Sequence, residues 1–245
     1  MFLRTENFRT FLRFYPIVSF LVAIHFILWV WINFRLPGGL YLLEIMVGYN
    51  MFIEQGEWWR LFTPILLHAS FSHVLFNSFS LVLFGPALEK MLGTLKFLIL
   101  YIGSGLVANI ATLFLEHSHF SHVGASGAIY GLFGAYLYMV FYRKDLIDRA
   151  NSQIILTILI IGIIMSFSGG NINIIGHIFG FIGGAIIAPF LLPKRVGSYS
   201  YSYASSSTPS FNIKALKQIL PKRFDKTAIF WIVLGILVLF GFLSK

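Results

Sequence analysis

Seven apolar stretches, separated by short polar segments, constrain the fold of this chain more than any other feature. At about 1.5 Å per helical residue, each can cross a hydrocarbon core of roughly 30 Å with some tilt or loose ends. Because lipid offers the backbone no hydrogen-bond partners, such stretches predict α-helices. We therefore expect an all-α, polytopic membrane helix bundle. The stretches lie near residues 15–35, 61–85, 94–116, 126–143, 152–168, 171–192 and 227–243.

The composition agrees with a membrane protein and excludes several other classes. Of the 245 residues, 58% are hydrophobic and 11% are charged, which is more apolar surface than one soluble core could hide. The net charge of +9 is spread over short segments between apolar runs, so we predict a lipid bilayer and no nucleic acid as partner. Because the chain has no cysteine, disulfides and thiolate chemistry are excluded. We expect no cofactor and no metal site.

The basic residues alternate between the two sides of the predicted bundle. Fifteen of the 18 Lys and Arg residues precede the first span or follow the second, fourth and sixth spans. The positive-inside rule therefore predicts a multi-pass protein of the cell membrane, with a cytoplasmic N-terminus and the C-terminus outside. Adding or removing one span would disturb this alternation. No feature of the sequence specifies an oligomeric state.

These patterns divide the chain into four parts. Residues 1–14 form a cytoplasmic N-terminal arm, and residues 15–193 form a six-helix core. Residues 194–226 form a cytoplasmic linker, first rich in Ser and Tyr and then basic. Residues 227–245 hold a seventh transmembrane helix. The boundary between the fifth and sixth spans depends on the turn-prone residues 168–171.

Strongly polar side chains inside the spans are few. Because burying them in lipid is costly, each is a candidate functional residue. They are His25 in the first span, His68, His73 and Asn77 in the second with Glu89 at its inner end, Ser126 at the start of the fourth, and His177 in the sixth.

Ser126 lies between small residues at the start of the fourth span. Its neighbours Gly124 and Gly127 allow another backbone to approach the hydroxyl, and the first turn of a helix has free N–H groups that can bind an oxyanion. The same pattern is also typical of a helix cap or a close-packing site. Ser126 alone therefore leaves both interpretations open.

His177 is predicted at a similar depth in a second helix. It lies about six residues, or roughly 9 Å, into the sixth span from the face at which Ser126 enters the fourth. Both helices carry small residues four apart, which allow close backbone approach. This arrangement would allow the Ser126 hydroxyl to act as a nucleophile with the His177 imidazole as its base. It is equally compatible with a structural histidine beside a glycine groove, so both interpretations stay open at this point. The glycines are Gly127, Gly131 and Gly134 in the fourth span and Gly176, Gly180 and Gly184 in the sixth.

The second span carries polar groups that could bind a developing oxyanion. His73 and Asn77 are four residues apart and share a helix face, and His68 lies about a turn and a half earlier. A zinc site is the rival interpretation. It is disfavoured because Asn is a poor zinc ligand and the chain has no HExxH motif.

The outer half of every predicted span lacks Asp and Glu, so a Ser/His/Asp triad and an aspartyl protease site are not expected. Tyr130, one turn after Ser126, is expected to stack on His177 and orient it. A further cluster, His117, His119 and His122, precedes Ser126. It could be a surface metal site, but an aqueous loop without function is the favoured interpretation.

Five segments together resemble the rhomboid family of intramembrane serine proteases. Residues 57–63 are similar to its first-loop WR element, residues 68–77 to its HxxxxHxxxN pattern, and residues 124–130 to its GxSG motif followed by Tyr. A further matching segment is Glu-Lys-Met-Leu-Gly at residues 89–93. The last segment, residues 176–184, resembles AHxxGxxxG, with Gly176 in place of the common Ala. The resemblance covers residues 16–193.

This resemblance implies a fold, a reaction and a set of roles. It implies a six-helix rhomboid-like core in which Ser126 and His177 form the catalytic dyad, with Tyr130 packed on His177. It implies an oxyanion hole made by His73, Asn77 and the backbone N–H of Ser126. The substrates would be transmembrane segments of other proteins, cut near their outer ends. The residues themselves leave two alternatives, a transporter or channel that uses the intramembrane histidines, and a non-catalytic scaffold that binds membrane proteins.

Overall fold

The computed structural model describes residues 6–167 and 172–194. The expected linker after residue 194, the seventh span and the turn at residues 168–171 lie outside the described residues. The described helices are α1 (Phe8–Phe14), α2 (Pro16–Asn33), α3 (Gly39–Met46), α4 (Asn50–Glu54), α5 (Phe71–Leu92), α6 (Thr94–Leu115), α7 (Ser126–Tyr142), α8 (Arg149–Phe167) and α9 (Ile174–Leu191), with two-residue strands β1 (Gly48–Tyr49) and β2 (Ser121–His122).

The all-helical prediction is confirmed, and most helix ends lie near their predicted positions. Helices α2, α6, α7, α8 and α9 correspond to the first, third, fourth, fifth and sixth predicted spans. Helix α9 begins three residues later than expected because Asn173 caps it, with its side chain accepting a hydrogen bond from the Gly176 N–H. His177 is therefore the fourth residue of its helix rather than about the sixth.

The predicted bounds of the second span are wrong at both ends, because α5 begins ten residues later and ends seven residues later than expected. Helix α5 begins at Phe71, where the Ser70 side chain accepts a hydrogen bond from the His73 N–H and caps the helix. The preceding residues form two short 3₁₀ turns, Trp58–Leu61 and Thr63–Leu66. His68 consequently lies in the loop before α5 and not in a helix.

Four of the described helices, α2, α5, α6 and α9, are long and apolar enough to cross a membrane. Helix α7 is shorter, with 17 residues. Large apolar side chains point outward from several helices, including Phe76 on α5, Phe114 on α6 and Phe190 on α9, the last 83% exposed. Because water would disfavour so much exposed apolar surface, it indicates contact with lipid, and the chain is a multi-pass membrane protein.

The glycines of α7 and α9 bring the backbones of these helices into direct contact. A Cβ on Gly180 would lie 2.1 Å from the carbonyl oxygen of Gly127, and one on Gly184 would lie 1.8 Å from that of Gly131. Since position 127 faces 180 and position 131 faces 184, the two helices run parallel. We call this contact the glycine seam. It places the starts of α7 and α9 at the same end of the bundle, called here the site end.

Short elements cover the site end. Strand β1 pairs antiparallel with β2, with Gly48 opposite His122. Arg60, only 3% exposed, donates hydrogen bonds to the carbonyl oxygens of Glu44 and Val47 at 2.6 and 2.8 Å and forms an ion pair with Glu57. These bonds hold the C-terminal end of α3 against the 3₁₀ turns.

At the opposite end, Glu89 fixes the start of α2. Its carboxylate oxygens accept hydrogen bonds from the backbone N–H groups of Ile17 and Val18 at 2.8 and 3.0 Å. A carboxylate at a helix N-terminus binds otherwise free N–H groups and complements the helix dipole. Glu89 thereby joins α2 to α5.

Candidate active site

Ser126 is the first residue of α7, and its backbone N–H is not used by the helix. The preceding Ala125 provides no side-chain cap, and the first backbone hydrogen bond of the helix runs from Ile129 N–H to the Ala125 carbonyl. The first N–H groups of a helix have no partner within it. The start of α7 therefore offers free donors beside the Ser126 hydroxyl.

Gly124 opens a small space in front of this hydroxyl. Its φ of 134° lies in the region that favours glycine. A Cβ at this position would lie 2.8 Å from Nε2 of His73 and 3.7 Å from Oγ of Ser126. The His73 ring and the Ser126 hydroxyl therefore face the same space, which any larger residue would fill.

His73 reaches this region from the first turn of α5, and Asn77 lies one turn later on the same helix. The His73 Nδ1 accepts a long hydrogen bond of 3.5 Å from the Ala69 N–H, so the proton of the neutral ring lies on Nε2. Asn77, 7% exposed, donates one amide hydrogen to the His73 carbonyl at 3.0 Å, which leaves a second amide hydrogen. Both side chains thus retain a hydrogen-bond donor.

His177 is held on α9 by two side chains. The ring of Tyr130 stacks on it, with ring centroids 4.2 Å apart and planes 15° from parallel. The hydroxyl of Ser166 lies 2.8 Å from its Nδ1. Among the described residues, His177 forms no hydrogen bond with Ser126, although the glycine seam places both in the first turns of adjacent parallel helices.

Ser166 was not among the residues that the sequence singles out. It lies on α8, is 5% exposed, and also contacts the Tyr130 hydroxyl at 2.7 Å. A serine in a membrane helix usually bonds a carbonyl of its own helix, as Ser166 does with Gly162 at 2.9 Å. The position of Ser166 in the sequence therefore gives no indication that it lies beside the other site residues.

His68 joins a row of three histidine rings behind this site. Its ring centroid lies 4.7 Å from that of His25 and 5.0 Å from that of His73. Both nitrogens of His25 and His68 are buried without a hydrogen-bond partner in the described part of the chain. His25, on α2, thus packs behind the HxxxxHxxxN residues.

A cavity of about 420 Å³ opens beside the histidines at the site end. Its lining includes His68 and His73 from around the start of α5, His122 and Val123 from the segment before α7, and Asn173 from the cap of α9. Two of the candidate site residues, His68 and His73, therefore border a space that is large enough for a short peptide segment, whereas Ser126 and His177 are not part of its lining.

The three outer-loop histidines do not converge. His119 Nδ1 contacts the Tyr49 hydroxyl at 3.0 Å, whereas both ring nitrogens of His122 are buried beside Gly48 and Pro64. Burial lowers the pKa of His122 to about 4. Across residues 6–167 and 172–194, no group of three or more His, Asp or Glu side chains is arranged to hold a metal ion.

Comparison with known proteins places this geometry in a family. The family model of the Rhomboid domain matches residues 55–194. YdcA of Bacillus subtilis (strain 168), whose name describes it as a rhomboid protease, is 49% identical over 201 residues, which cover 81% of this chain and all of YdcA.

Two further relatives match over smaller shares of their length. Rhomboid protease GluP of the same bacterium is 37% identical over 67% of this chain and 33% of GluP. Rhomboid-like protease 1 of Toxoplasma gondii is 32% identical over 73% of this chain and 62% of that protein. The chain therefore belongs to the rhomboid family of intramembrane serine proteases.

Proposed function

We propose that this protein cleaves transmembrane segments of other membrane proteins, with Ser126 as nucleophile and His177 as general base. The observation that supports this most directly is the glycine seam, because it brings the first turns of α7 and α9 together in parallel. Family membership favours this activity over the transporter and scaffold alternatives. An unwound substrate segment would enter the cavity beside His73, since an intact helix hides its carbonyls.

The chemistry follows the acyl-transfer scheme. Nε2 of His177 accepts the hydroxyl proton as Ser126 Oγ attacks the scissile carbonyl carbon, and the protonated imidazole then gives the proton to the leaving amine. Water hydrolyses the acyl-enzyme by the same steps. Ser126 and His177 are not hydrogen-bonded to each other in the described residues, and catalytic hydrogen bonds of this kind often tighten only in the complex with substrate.

The oxyanion would bind in the space in front of Gly124. The His73 Nε2–H, the free amide hydrogen of Asn77 and the Ser126 N–H are the proposed donors. Donors preset around a developing negative charge are worth about 3 kcal/mol each in related reactions. Gly124, Gly127 and Gly180 support the site by leaving room for close approach, and Tyr130 supports it by packing on His177.

The finer architecture is also part of the proposal. We infer six membrane-crossing helices in the core, residues 15–193, and a seventh at residues 227–245 after a linker at residues 194–226. The Lys and Arg distribution supports a cytoplasmic N-terminus and an outside C-terminus. The site end, where α7 begins, would then face outward, and cleavage would occur near the outer end of the substrate segment.

Cleavage of a transmembrane substrate by the purified full-length protein in detergent tests the proposal. We expect Ser126→Ala and His177→Ala each to abolish cleavage, and the double variant to lose no more than either single variant, because the pair acts as a unit. The matched control Ser72→Ala removes an exposed hydroxyl near the site end and should retain activity. Cleavage by Ser126→Ala would refute the assignment.

A further inference from the structure

The Ser166 hydroxyl lies at the centre of three polar contacts that join three helices. Its Oγ is 2.8 Å from His177 Nδ1 on α9, 2.7 Å from the Tyr130 hydroxyl on α7, and 2.9 Å from the Gly162 carbonyl on its own helix α8. The bond to Gly162 alone would be an ordinary way for a serine to satisfy itself within a helix. The other two contacts link α8 to the candidate base and to the tyrosine that stacks on it.

The hydrogens of this cluster can be assigned by counting donors and acceptors. For His177 to accept a proton from Ser126, its Nε2 must be free, so Nδ1 carries the ring hydrogen and donates it to Ser166 Oγ. The Ser166 hydroxyl then donates its single hydrogen to the Gly162 carbonyl. The Tyr130 hydroxyl donates to the second lone pair of Ser166 Oγ. Every donor and acceptor of Ser166 is used once.

We propose that Ser166 is a positioning residue that fixes the tautomer and the ring plane of His177, an inference that rests on the proposed role of His177 as base. The tautomer with hydrogen on Nδ1 is the one that leaves Nε2 ready to accept a proton. In Ser/His/Asp enzymes, a carboxylate selects this tautomer. Among the described residues, no carboxylate bonds His177, and the neutral hydroxyl of Ser166 takes that place.

The uncharged character of Ser166 suits its surroundings. It is 5% exposed, and the small cavity of about 20 Å³ beside it is lined mainly by apolar side chains, including Leu159, Ile163 and Phe181. A carboxylate there would be costly to desolvate. A hydroxyl selects the tautomer at a lower desolvation cost, but it stabilises the imidazolium less than a charged group would.

The substitution pair Ser166→Ala and Ser166→Thr separates positioning from packing. Alanine removes the acceptor of the Nδ1 hydrogen, so kcat should fall about tenfold with KM changed less than twofold. Threonine keeps the hydroxyl, and the adjacent cavity has room for its methyl group, so most of kcat should return. Ser78→Ala is the matched control, because this serine is equally buried on α5 and its hydroxyl has no partner among the described residues.

A double-mutant cycle tests whether Tyr130 acts through Ser166. Tyr130→Phe keeps the ring stack and removes the hydroxyl that donates to Ser166. If the two hydroxyls act in one network, Ser166→Ala with Tyr130→Phe should lower kcat no further than Ser166→Ala alone. If kcat of the double variant falls by the product of the two single-variant reductions, the two hydroxyls act independently and the shared network is overturned.

Nitrogen-15 NMR of histidine-labelled full-length protein gives a readout independent of cleavage. The His177 signal, assigned by its loss in His177→Ala, should show hydrogen on Nδ1 in the wild type and in Ser166→Thr, and a mixture of tautomers in Ser166→Ala. An unchanged tautomer in Ser166→Ala, or kcat equal to that of Ser78→Ala, would overturn the positioning role. Neither result would affect Ser126→Ala, whose continued cleavage alone would refute the proposed function.

Discussion

Two regions of the molecule hold His177, and they do so by different means. The glycine seam joins α9 to α7 through backbone contacts, and a Cβ on Gly180 would lie only 2.1 Å from the Gly127 carbonyl oxygen. Helix α8 reaches His177 through the Ser166 hydroxyl at 2.8 Å, and it packs on α7 and α9 much less extensively than they pack on each other. The seam sets the position of α9, and the Ser166 hydroxyl of α8, which we propose as a positioning residue, contacts the imidazole that Tyr130 stacks on.

The difference predicts unequal tolerance to substitution. Backbone atoms at the seam cannot move without separating two helices, whereas a side chain that contacts α8 can shift by a few tenths of an ångström. The outward face of α8 carries exposed isoleucines, Ile160 at 58% and Ile164 at 61%, which fits a peripheral helix surrounded by lipid. Identical changes in the two regions should therefore have different results.

The largest effect is expected for Gly180→Ala. The added methyl group would overlap the Gly127 carbonyl, so the seam must open, at a cost of about 3 kcal/mol or more. We expect a lowered midpoint of thermal unfolding in detergent and loss of at least about 99% of activity, because a small misplacement costs about 100-fold.

Gly162→Ala is the matched change on α8. Its Cβ would lie 3.1 Å from the Tyr130 hydroxyl oxygen, which belongs to the end of a side chain. Alanine also favours a helix by about 1 kcal/mol over glycine. Unfolding should therefore occur at the wild-type temperature or above, with activity reduced only severalfold. Equal damage from the two glycine variants would contradict the comparison.

Tyr130 belongs to both regions, and two variants separate its contributions. Tyr130→Phe loses only the hydroxyl bond to α8, worth about 1 kcal/mol, so kcat should fall about fivefold. Tyr130→Ala also loses the ring that stacks on His177, and kcat should fall about 100-fold. Steady-state cleavage measurements on both variants give the two values of kcat to be compared. Similar kcat values for Tyr130→Phe and Tyr130→Ala would show that the Tyr130 ring does not help to place the His177 imidazole.

The smallest effect on activity at neutral pH is expected for a substitution of His122, which lies outside both regions. Its pKa of about 4 lies below the ordinary value of 6.5 because the ring is buried. Between these values the unfolded chain binds a proton that the folded protein does not, so stability is complete above pH 6.5 and falls towards pH 4. The loss at this residue is at most about 3 kcal/mol.

His122→Phe tests this assignment, because phenylalanine keeps an aromatic ring and cannot bind a proton. The thermal midpoint of the variant should fall less steeply than that of the wild type between pH 6.5 and 4. The readout is the slope of the midpoint against pH and not its absolute value at pH 7, since a larger ring beside Gly48 and Pro64 lowers stability at every pH. An equally steep fall would show that His122 is not a source of the acid sensitivity.

Much of the fold could be predicted because lipid imposes a simple rule on the sequence. Apolar length located α2, α6, α7 and α9 within a few residues. The start of α5 was misplaced because residues 61–67 are apolar enough to continue a span, and the Ser70 cap outweighs that pattern. The roles of His73, Asn77, Ser126 and His177 stay predictions that the geometry supports.

The contacts of Ser166 could not be predicted from sequence. They depend on the rotation of α8 about its axis and on its distance from α7 and α9. A hydroxyl that bonds its own helix carries little penalty in lipid, so it lacks the signal that distinguishes a buried histidine. The three histidines of the row could each be recognised in the sequence as polar residues in apolar stretches. The contact of His25 with His68 could not, because it depends on how α2 packs behind α5.

Covalent labelling with a serine-directed phosphonate, followed by peptide mapping, tests the central claim most directly. The account predicts modification at Ser126 in the wild-type protein, and loss of labelling in Ser126→Ala and His177→Ala, because the hydroxyl needs its base to react. Modification at another serine, or labelling of Ser126 at an undiminished rate in His177→Ala, would contradict the account.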